Sequence, residues 1–249
     1  AQAASSVVLN EILTNPSAGN EKVELYNGSA SIVDISGWTI VEAAATTVHT
    51  VPAATTVPAG GFYVADLGVA SVLTDSGDTV TLKNGTTTVD ALIYGDSLAA
   101  SIVAPAQGKT LGRVTDGGSW YSGLTASLSS TNDSPSVPSA PTGSAVKAGA
   151  SNGANVINAA SKAAVSVDVT VGAGSAATDT VTARLYDAVP NLKAGTVSGS
   201  AGASTVTVSG LDTTVATALS DGTVTLRSFV TNSAGRSTGY VAGTSATRD

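Results

Sequence analysis

The chain has 249 residues, with 18 acidic and 11 basic side chains and a net charge of −7. The basic residues are scattered, which argues against a nucleic-acid binder, because such proteins cluster lysine and arginine against phosphates. Cysteine is absent, so disulfides, a reactive thiol and a thiolate metal site are excluded.

The first predicted elements lie in residues 7–38. Short runs rich in Val and Ile are separated there by Asn, Pro and Gly, a pattern that predicts strand, turn, strand, turn, strand. The preceding residues 1–6 are small and polar, and we interpret them as an N-terminal arm.

Further short strands are predicted up to residue 133, among them residues 62–65 and 79–82. The Asn84-Gly85 step stands between two alternating runs, which is the strongest local signal of a β-hairpin. The longest apolar stretch, near residues 92–106, is interrupted by Gly95-Asp96 and Pro105, so no membrane span is predicted.

The composition changes after residue 133. Residues 134–143, SPSVPSAPTG, alternate proline with small residues, which is typical of an extended interdomain linker. Residues 144–249 then contain runs that alternate polar and apolar side chains, as half-buried strands do. The recurrence of such runs between turns predicts an antiparallel sandwich. These runs are residues 165–171, 180–186, 205–208 and 223–230.

The first part of the chain resembles the lamin-tail domain family. The resemblance implies an immunoglobulin-like sandwich over residues 7–133. The steps that carry it are Asn10-Glu11-Ile12, Asn15-Pro16, Glu24-Leu25-Tyr26-Asn27, Asp34-Ile35-Ser36-Gly37-Trp38, Pro58-Ala59-Gly60-Gly61, Val89-Asp90 with Tyr94-Gly95-Asp96, and Thr110-Leu111-Gly112-Arg113 before Trp120.

The second part resembles the bacterial immunoglobulin-like repeats of large surface adhesins. The expected fold is therefore all-β, with two immunoglobulin-like antiparallel β-sandwich domains, residues 7–133 and 144–249, joined by the Pro/Ser-rich linker. The matching pieces are Val156-Ile157-Asn158-Ala159-Ala160-Ser161-Lys162, Val208-Ser209-Gly210-Leu211, Leu219-Ser220-Asp221-Gly222-Thr223 and Thr231-Asn232-Ser233-Ala234-Gly235-Arg236-Ser237.

No catalytic chemistry is visible. His49 is the only histidine and lies in an alternating run, which favours a solvent-facing strand residue over a metal ligand or general base. No Gly-x-Ser-x-Gly elbow accompanies it, and one histidine without cysteine leaves no usual zinc site. Trp38 and Trp120 could stack on a sugar, but both fall in family motif positions that are structural, so core packing is preferred.

The carboxylates are candidates for calcium, which prefers oxygen ligands. None forms an EF-hand loop, so turn capping and solvated loop charge are the preferred interpretation, and no cofactor is predicted. The candidates are Glu11, Glu24, Asp34, Asp66, Asp75, Asp78, Asp90 and Asp96. Three sequons for N-glycans begin at Asn27, Asn84 and Asn132, about as many as chance provides in so Ser/Thr-rich a chain.

The predicted function is structural. The small residues at the start, Ala1-Gln2-Ala3-Ala4, are typical of a signal-peptidase site, so we expect a secreted protein on the surface of a bacterium or archaeon. Its partner would be itself. Residues 1–9 would donate a strand to a neighbouring copy, with Val7, Val8 and Leu9 as anchors, to form a filament, sheath or surface layer.

Two alternatives remain open. One is an adhesin or ligand-binding module whose loops bind a glycan or a protein. The other is an enzyme or an accessory to one, since lamin-tail-like domains also occur beside secreted nucleases. The enzyme hypothesis is the weaker, because the sequence offers no general base, metal cluster or nucleophile pair.

Overall fold

The computed structural model describes residues 6–132, 136–147, 155–189, 192–198, 205–214 and 218–249. These residues form strands, isolated bridges and turns, and they contain no helix. No membrane-crossing helix is therefore found in the described part of the chain. The predicted all-β fold, built from immunoglobulin-like sandwiches, is confirmed. The chain divides into two compact units, Ala1–Ser136 and Val137–Asp249.

The first unit is a sandwich of two antiparallel sheets. Its strands are β1 (Val7–Leu13), β2 (Lys22–Asn27), β3 (Val33–Asp34), β4 (Thr39–Val41), β5 (Thr47–Thr50), β6 (Thr56–Val57), β7 (Phe62–Asp66), β8 (Thr79–Asn84), β9 (Thr87–Ile93), β10 (Lys109–Val114) and β11 (Ser119–Thr125). One sheet runs β11-β10-β1-β2-β7, and the other runs β5-β4-β8-β9. The short strands β3 and β6 pair with each other.

The core of this unit lies between the two sheets and is built mainly from aliphatic side chains, as a chain with 4% aromatic residues requires. In β8, Val80 and Leu82 are buried while their neighbours are half-buried, the alternation expected of a strand with one core face. In β1 the register against β2 shifts between Leu9 and Glu11. Because of this bulge, Leu9 and Ile12 both reach the core.

The second unit contains the remaining strands. They are β12 (Gly143–Val146), β13 (Val156–Ile157), β14 (Val165–Thr170), β15 (Thr180–Tyr186), β16 (Leu192–Ser198), β17 (Thr205–Leu211), β18 (Gly222–Thr231), β19 (Ser237–Thr238), β20 (Val241–Ala242) and β21 (Ala246–Arg248). One sheet runs β12-β14-β17. Strands β15 and β18 pair along their length, β16 joins β15, and β20 and β21 join β18.

This unit has a core of its own, in which the alternating valines of β14, Val165, Val167 and Val169, are all buried. The predicted linker falls only partly within the described ranges, because residues 134 and 135 lie outside them. The described residues 136–142 form no strand.

Candidate functional site

Most of the predicted donor segment, residues 1–9, precedes the first described residue, Ser6. Residues 1–5 lie outside the described ranges, and the Ser6 carbonyl accepts a hydrogen bond from the Gly28 N–H at 2.8 Å. Val7, Val8 and Leu9 belong to β1 and pair with β2 of their own unit. The prediction that they anchor a strand in another copy is therefore wrong, because Val7 and Leu9 are core residues here. Only residues 1–6 remain as a candidate donor.

One sheet edge of the first unit faces outward at β7, which pairs with β2 and with no other described strand. At the two ends of β7, the Gly61 carbonyl accepts a hydrogen bond from the Asn27 N–H, and the Leu67 N–H donates to the Glu21 carbonyl. The backbone groups of Gly61 and Leu67 therefore point toward β2. Because antiparallel strands alternate the direction of their backbone groups, those of Phe62, Val64 and Asp66 point to the outer edge.

The two edges of the other sheet, β9 and β5, are less open. On β9, the Asp90 side chain accepts hydrogen bonds from the Leu9 N–H at 3.0 Å and from Arg113 at 2.9 Å. An inward-pointing charge of this kind discourages a strand from adding to an edge. Strand β5 is short, and the side chain of its His49 reaches across to β7.

His49 was expected to face solvent, but it is half-buried, and its ring contacts β7 of the other sheet. Its Nε2 lies 2.8 Å from the Tyr63 hydroxyl, and its Nδ1 lies 3.2 Å from the Asp66 carbonyl oxygen. Both ring nitrogens are thus engaged by groups of β7, which supports a structural role. Burial raises the pKa of Tyr63 above its ordinary value, so this hydroxyl stays protonated near neutral pH.

Two buried carboxylates of the first sheet hold a segment that follows β11, residues 127–132, which we call the strap. Glu11 accepts hydrogen bonds from the Ser127 N–H at 3.1 Å and from the Thr110 hydroxyl at 2.7 Å. Glu24 accepts one from the Ser129 N–H at 2.5 Å. The glutamates come from β1 and β2, so they fix the strap across two neighbouring strands.

Asn10 and Asp116 complete this cluster. The Asn10 amide donates to both Glu24 and Asp116, at 2.9 Å each, and the Asp116 carboxylate also accepts from the Asn132 N–H at 3.0 Å. Asp116 lies in the turn between β10 and β11, and the sequence carries no motif that would have selected it. Glu11 and Glu24 are visible in the sequence as isolated charges within apolar strands, a pattern that indicates buried, partnered carboxyls.

The electrostatics of the cluster follow from burial. Burial raises the pKa of Glu24 to about 7, repulsion from Glu11 and Asp116 adds to the shift, and hydrogen bonds from Asn10 and Ser129 oppose it. Burial likewise raises the pKa of Glu11. Within the described residues, no group of three or more histidine, cysteine or acidic side chains is placed to hold a metal ion. The preferred interpretation of the carboxylates, without a cofactor, stays a prediction, and calcium remains the less favoured alternative.

The other carboxylates mostly fix loops. Glu21 is buried and accepts hydrogen bonds from two backbone N–H groups of the loop before β8. Asp78 accepts from three backbone N–H groups, one in that loop, one in the turn after β4 and one in β8 itself. Asp34 accepts from the Ser36 N–H. The Lys22 ammonium lowers the pKa of Asp66 to about 2. Asp75 and Asp96 are exposed.

Both tryptophans have structural surroundings. Trp38 is 6% exposed and belongs to the core of the first unit. Trp120 packs against that core, and the Arg113 guanidinium lies 4.8 Å from its ring centroid. Arg113 also donates to the Leu9 and Gly118 carbonyls at 2.8 Å. The Arg-and-Trp step of the sequence therefore joins β10 and β11 to β1.

A pocket of about 450 Å³ opens between the loop before β8 and the segment after β9. Asp78, Tyr94 and Asp96 are among the residues that line it. Tyr94 is almost fully buried, and its hydroxyl donates to the Thr74 carbonyl at 2.8 Å. The aromatic face is thus packed inside rather than offered to a ligand.

Residues 1–96 match the family model described as Lamin Tail Domain. No curated protein matches the chain. The matched range ends before β10 and β11, although these strands belong to the same compact unit. The adhesin-type resemblance of residues 144–249 has no support from these comparisons and stays a prediction. This family is a non-catalytic, structural and protein-interaction type of module with an immunoglobulin-like fold, and residues 1–96 of the chain are similar to it.

Proposed function

We propose that this protein is a secreted structural subunit that polymerises into a filament, sheath or surface layer on a bacterial or archaeal cell. In this proposal residues 1–6 of one copy add as a strand to the outer edge of β7 in the next copy. The observation that carries the proposal is the outward direction of the Phe62 and Val64 backbone groups, on an edge with no described strand beside it.

The dimensions agree with this pairing. An extended strand rises about 3.3 Å per residue, so six residues span about 20 Å and can cover β7 from Phe62 up to the Asp66 carbonyl, which His49 contacts. The donor carries only Ala, Gln and Ser side chains, which are small enough to pass beside the half-buried Phe62 and Tyr63. Backbone hydrogen bonds would supply the affinity, as in other strand-addition complexes.

The geometry of the contact favours an open polymer. The donor and the acceptor are different surfaces of the chain, so each copy would use both, in a head-to-tail arrangement. Such contacts produce fibres when the rotation between copies does not close a ring. Charged residues make up only 12% of the chain, about half the usual ~25%, which reduces the cost of packing copies closely.

Deletion of residues 1–6 tests the donor. We expect filaments to disappear from negatively stained electron micrographs, because the strand that joins the copies is missing. The circular dichroism spectrum and thermal midpoint should change little, since β1 begins after this segment and, among the described residues, only the hydrogen bond from the Gly28 N–H to Ser6 is lost. Filaments that persist unchanged after the deletion would defeat the proposal.

Val64→Pro tests the acceptor. The Val64 N–H points away from β2, so proline at this position removes an outward donor without removing a hydrogen bond of the native sheet. We expect Val64→Pro to block assembly while the monomer stays folded. Val64→Thr, which keeps the N–H and a β-branched side chain, is the matched control and should assemble normally.

A second candidate function is an adhesin or ligand-binding module, and the pocket beside Asp78 and Tyr94 favours it. The adhesin-type resemblance of the second unit points the same way. This function requires a monomer in solution, so light scattering of the purified chain separates it from the first proposal. A glycan array with the Asp96→Ala variant as control, which changes an exposed residue of the lining, would then test the pocket.

A further inference from the structure

The three sequons look alike in the sequence, but their asparagines differ in exposure in the structure. Asn27 is fully buried, and its side-chain nitrogen donates to the carbonyls of Ser31 at 2.8 Å, Val57 at 3.0 Å and Pro58 at 3.1 Å. An N-linked sugar needs that same nitrogen. Attaching one would break these contacts inside the folded unit, so Asn27 is not an acceptor in the native fold.

The sequon at Asn132 is also blocked. The Asn132 side chain is 3% exposed, and its oxygen accepts a hydrogen bond from the Ser127 hydroxyl within the strap. Its backbone N–H is held by Asp116. The other two sequon residues, Asp133 and Ser134, lie outside the described residues.

Asn84 is placed very differently. It ends β8 at the tip of the β8–β9 hairpin, opposite Thr87, and both Asn84 and Thr86 are exposed. Gly85 has φ +57°, a backbone conformation that suits a tight hairpin turn. No atom lies within 4 Å of a Cβ placed on Gly85, so the turn stands clear of the rest of the unit.

We propose that Asn84 is a site of N-linked glycosylation. The co-reactant is an oligosaccharide carried on a polyprenyl diphosphate. In the transfer, the Asn84 side-chain nitrogen bonds to the anomeric carbon while the carbon–oxygen bond to the diphosphate breaks. The polyprenyl diphosphate leaves with that electron pair, and one amide proton is lost to a base of the transferase. This inference rests on the secretion that the proposed function assumes.

A glycan at this position has a consequence for assembly. It would surround the hairpin tip with a bulky, hydrated group. The ends of β8 and β9 would then be kept out of close contacts between copies.

The test uses the full chain, secreted from a eukaryotic host and carrying an added Asn-Ala-Thr acceptor tag after Asp249. Glycosylation of the tag proves that each chain met the transferase. Intact mass spectrometry, before and after peptide N-glycosidase, then counts the glycans, and peptide mapping places them. We expect one glycan besides the tag, at Asn84, lost completely in both Asn84→Gln and Thr86→Ala. Thr86→Ser keeps the sequon and is the matched control.

An unmodified Asn84 on chains whose tag is glycosylated would overturn the proposal, as would a glycan on Asn27 of folded protein. Electron microscopy of the same preparations tests the proposed function separately. Filaments with an unmodified Asn84 would defeat only the glycosylation site. A glycosylated Asn84 on chains that never polymerise would defeat only the structural role.

Discussion

Glu24 is a carboxyl in the middle of a β-strand, fully buried and in contact with the strap rather than with water. Its pKa rises from 4.5 to about 7 because burial penalises the charged form. The folded pKa lies above the unfolded one. Stability from this group is therefore fully present below pH 4.5 and is lost as the pH rises through about 7.

The expected result is a free energy of unfolding that falls by up to about 3 kcal/mol between pH 4.5 and 7, the size that this pKa shift implies. Glu11 adds a change of the same sign, because burial raises its pKa too. Urea titrations followed by tryptophan fluorescence at several pH values measure the slope. Glu24→Gln should be less stable at low pH, because one N–H donor loses its acceptor, but its slope should be smaller.

Glu42→Gln is the matched control. Glu42 is a glutamate of the first unit whose pKa is lowered by the Ala44 N–H, so its contribution has the opposite sign and is confined to the acidic end of this range. A wild-type slope of zero between pH 4.5 and 7, or an unchanged slope in Glu24→Gln, would show that Glu24 is solvated in solution.

At the residue scale, the sequence indicated which side chains are chemically notable, but not which residues they contact. It identified Glu11 and Glu24 as candidate carboxylates. It could not pair them with Asp116, which is far from Glu24 along the chain although Asn10 donates to both. It also placed His49 on the solvent side. A period-2 pattern assigns a side chain to one face of its own sheet, but not to a second sheet that closes over it.

At the scale of elements, two loops cross closely where β9 ends. Gly95 has φ +110°, and a Cβ there would lie 2.5 Å from the Gly77 Cα and 2.6 Å from the Ser76 carbonyl oxygen. This contact explains physically why the Tyr-Gly-Asp step needs a glycine. The neighbouring atoms belong to the backbone, so they cannot rotate away from a new side chain.

Gly95→Ala should therefore destabilise the first unit by about 3 kcal/mol or more, from the strained φ and the backbone clash together. Gly85→Ala is the control, because it also has positive φ but open space around it, and it should cost about 1 kcal/mol. Thermal and urea unfolding of both variants measure the difference. Equal losses would mean that the two loops are not in contact in solution.

Strand β1 shows that an alternating pattern predicts a strand but not its neighbour in the sheet. The sequence predicts a strand over residues 7–9, and the structure has it, but within its own unit and not as a donor to another copy. Alternation reports that a segment is extended and has a buried face. It does not report which strand lies beside it, because backbone hydrogen bonds are the same for any partner. The pairing with β2 required the structure.

At the scale of the whole molecule, each unit has its own hydrophobic core, one centred on β1, β2 and β8 and the other on β14, β15 and β18. Separate cores are what allow domains to fold alone. We expect residues 1–136 and residues 137–249, expressed separately, each to give a cooperative thermal transition and a dispersed amide NMR spectrum.

A fragment limited to residues 1–96, the range of the family match, provides the sharper comparison. It lacks β10, so β1 loses one of its two neighbouring strands and the core loses Leu111. It also lacks Thr110 and the strap, which leaves Glu11 and Glu24 buried without most of their donors or exposed on an unfinished sheet. An unpaired buried carboxylate costs several kcal/mol, comparable with the whole stability of a small domain. We therefore expect this fragment to be unfolded while residues 1–136 fold, and a folded 1–96 fragment would show that β10, β11 and the strap are additions to a self-sufficient sandwich.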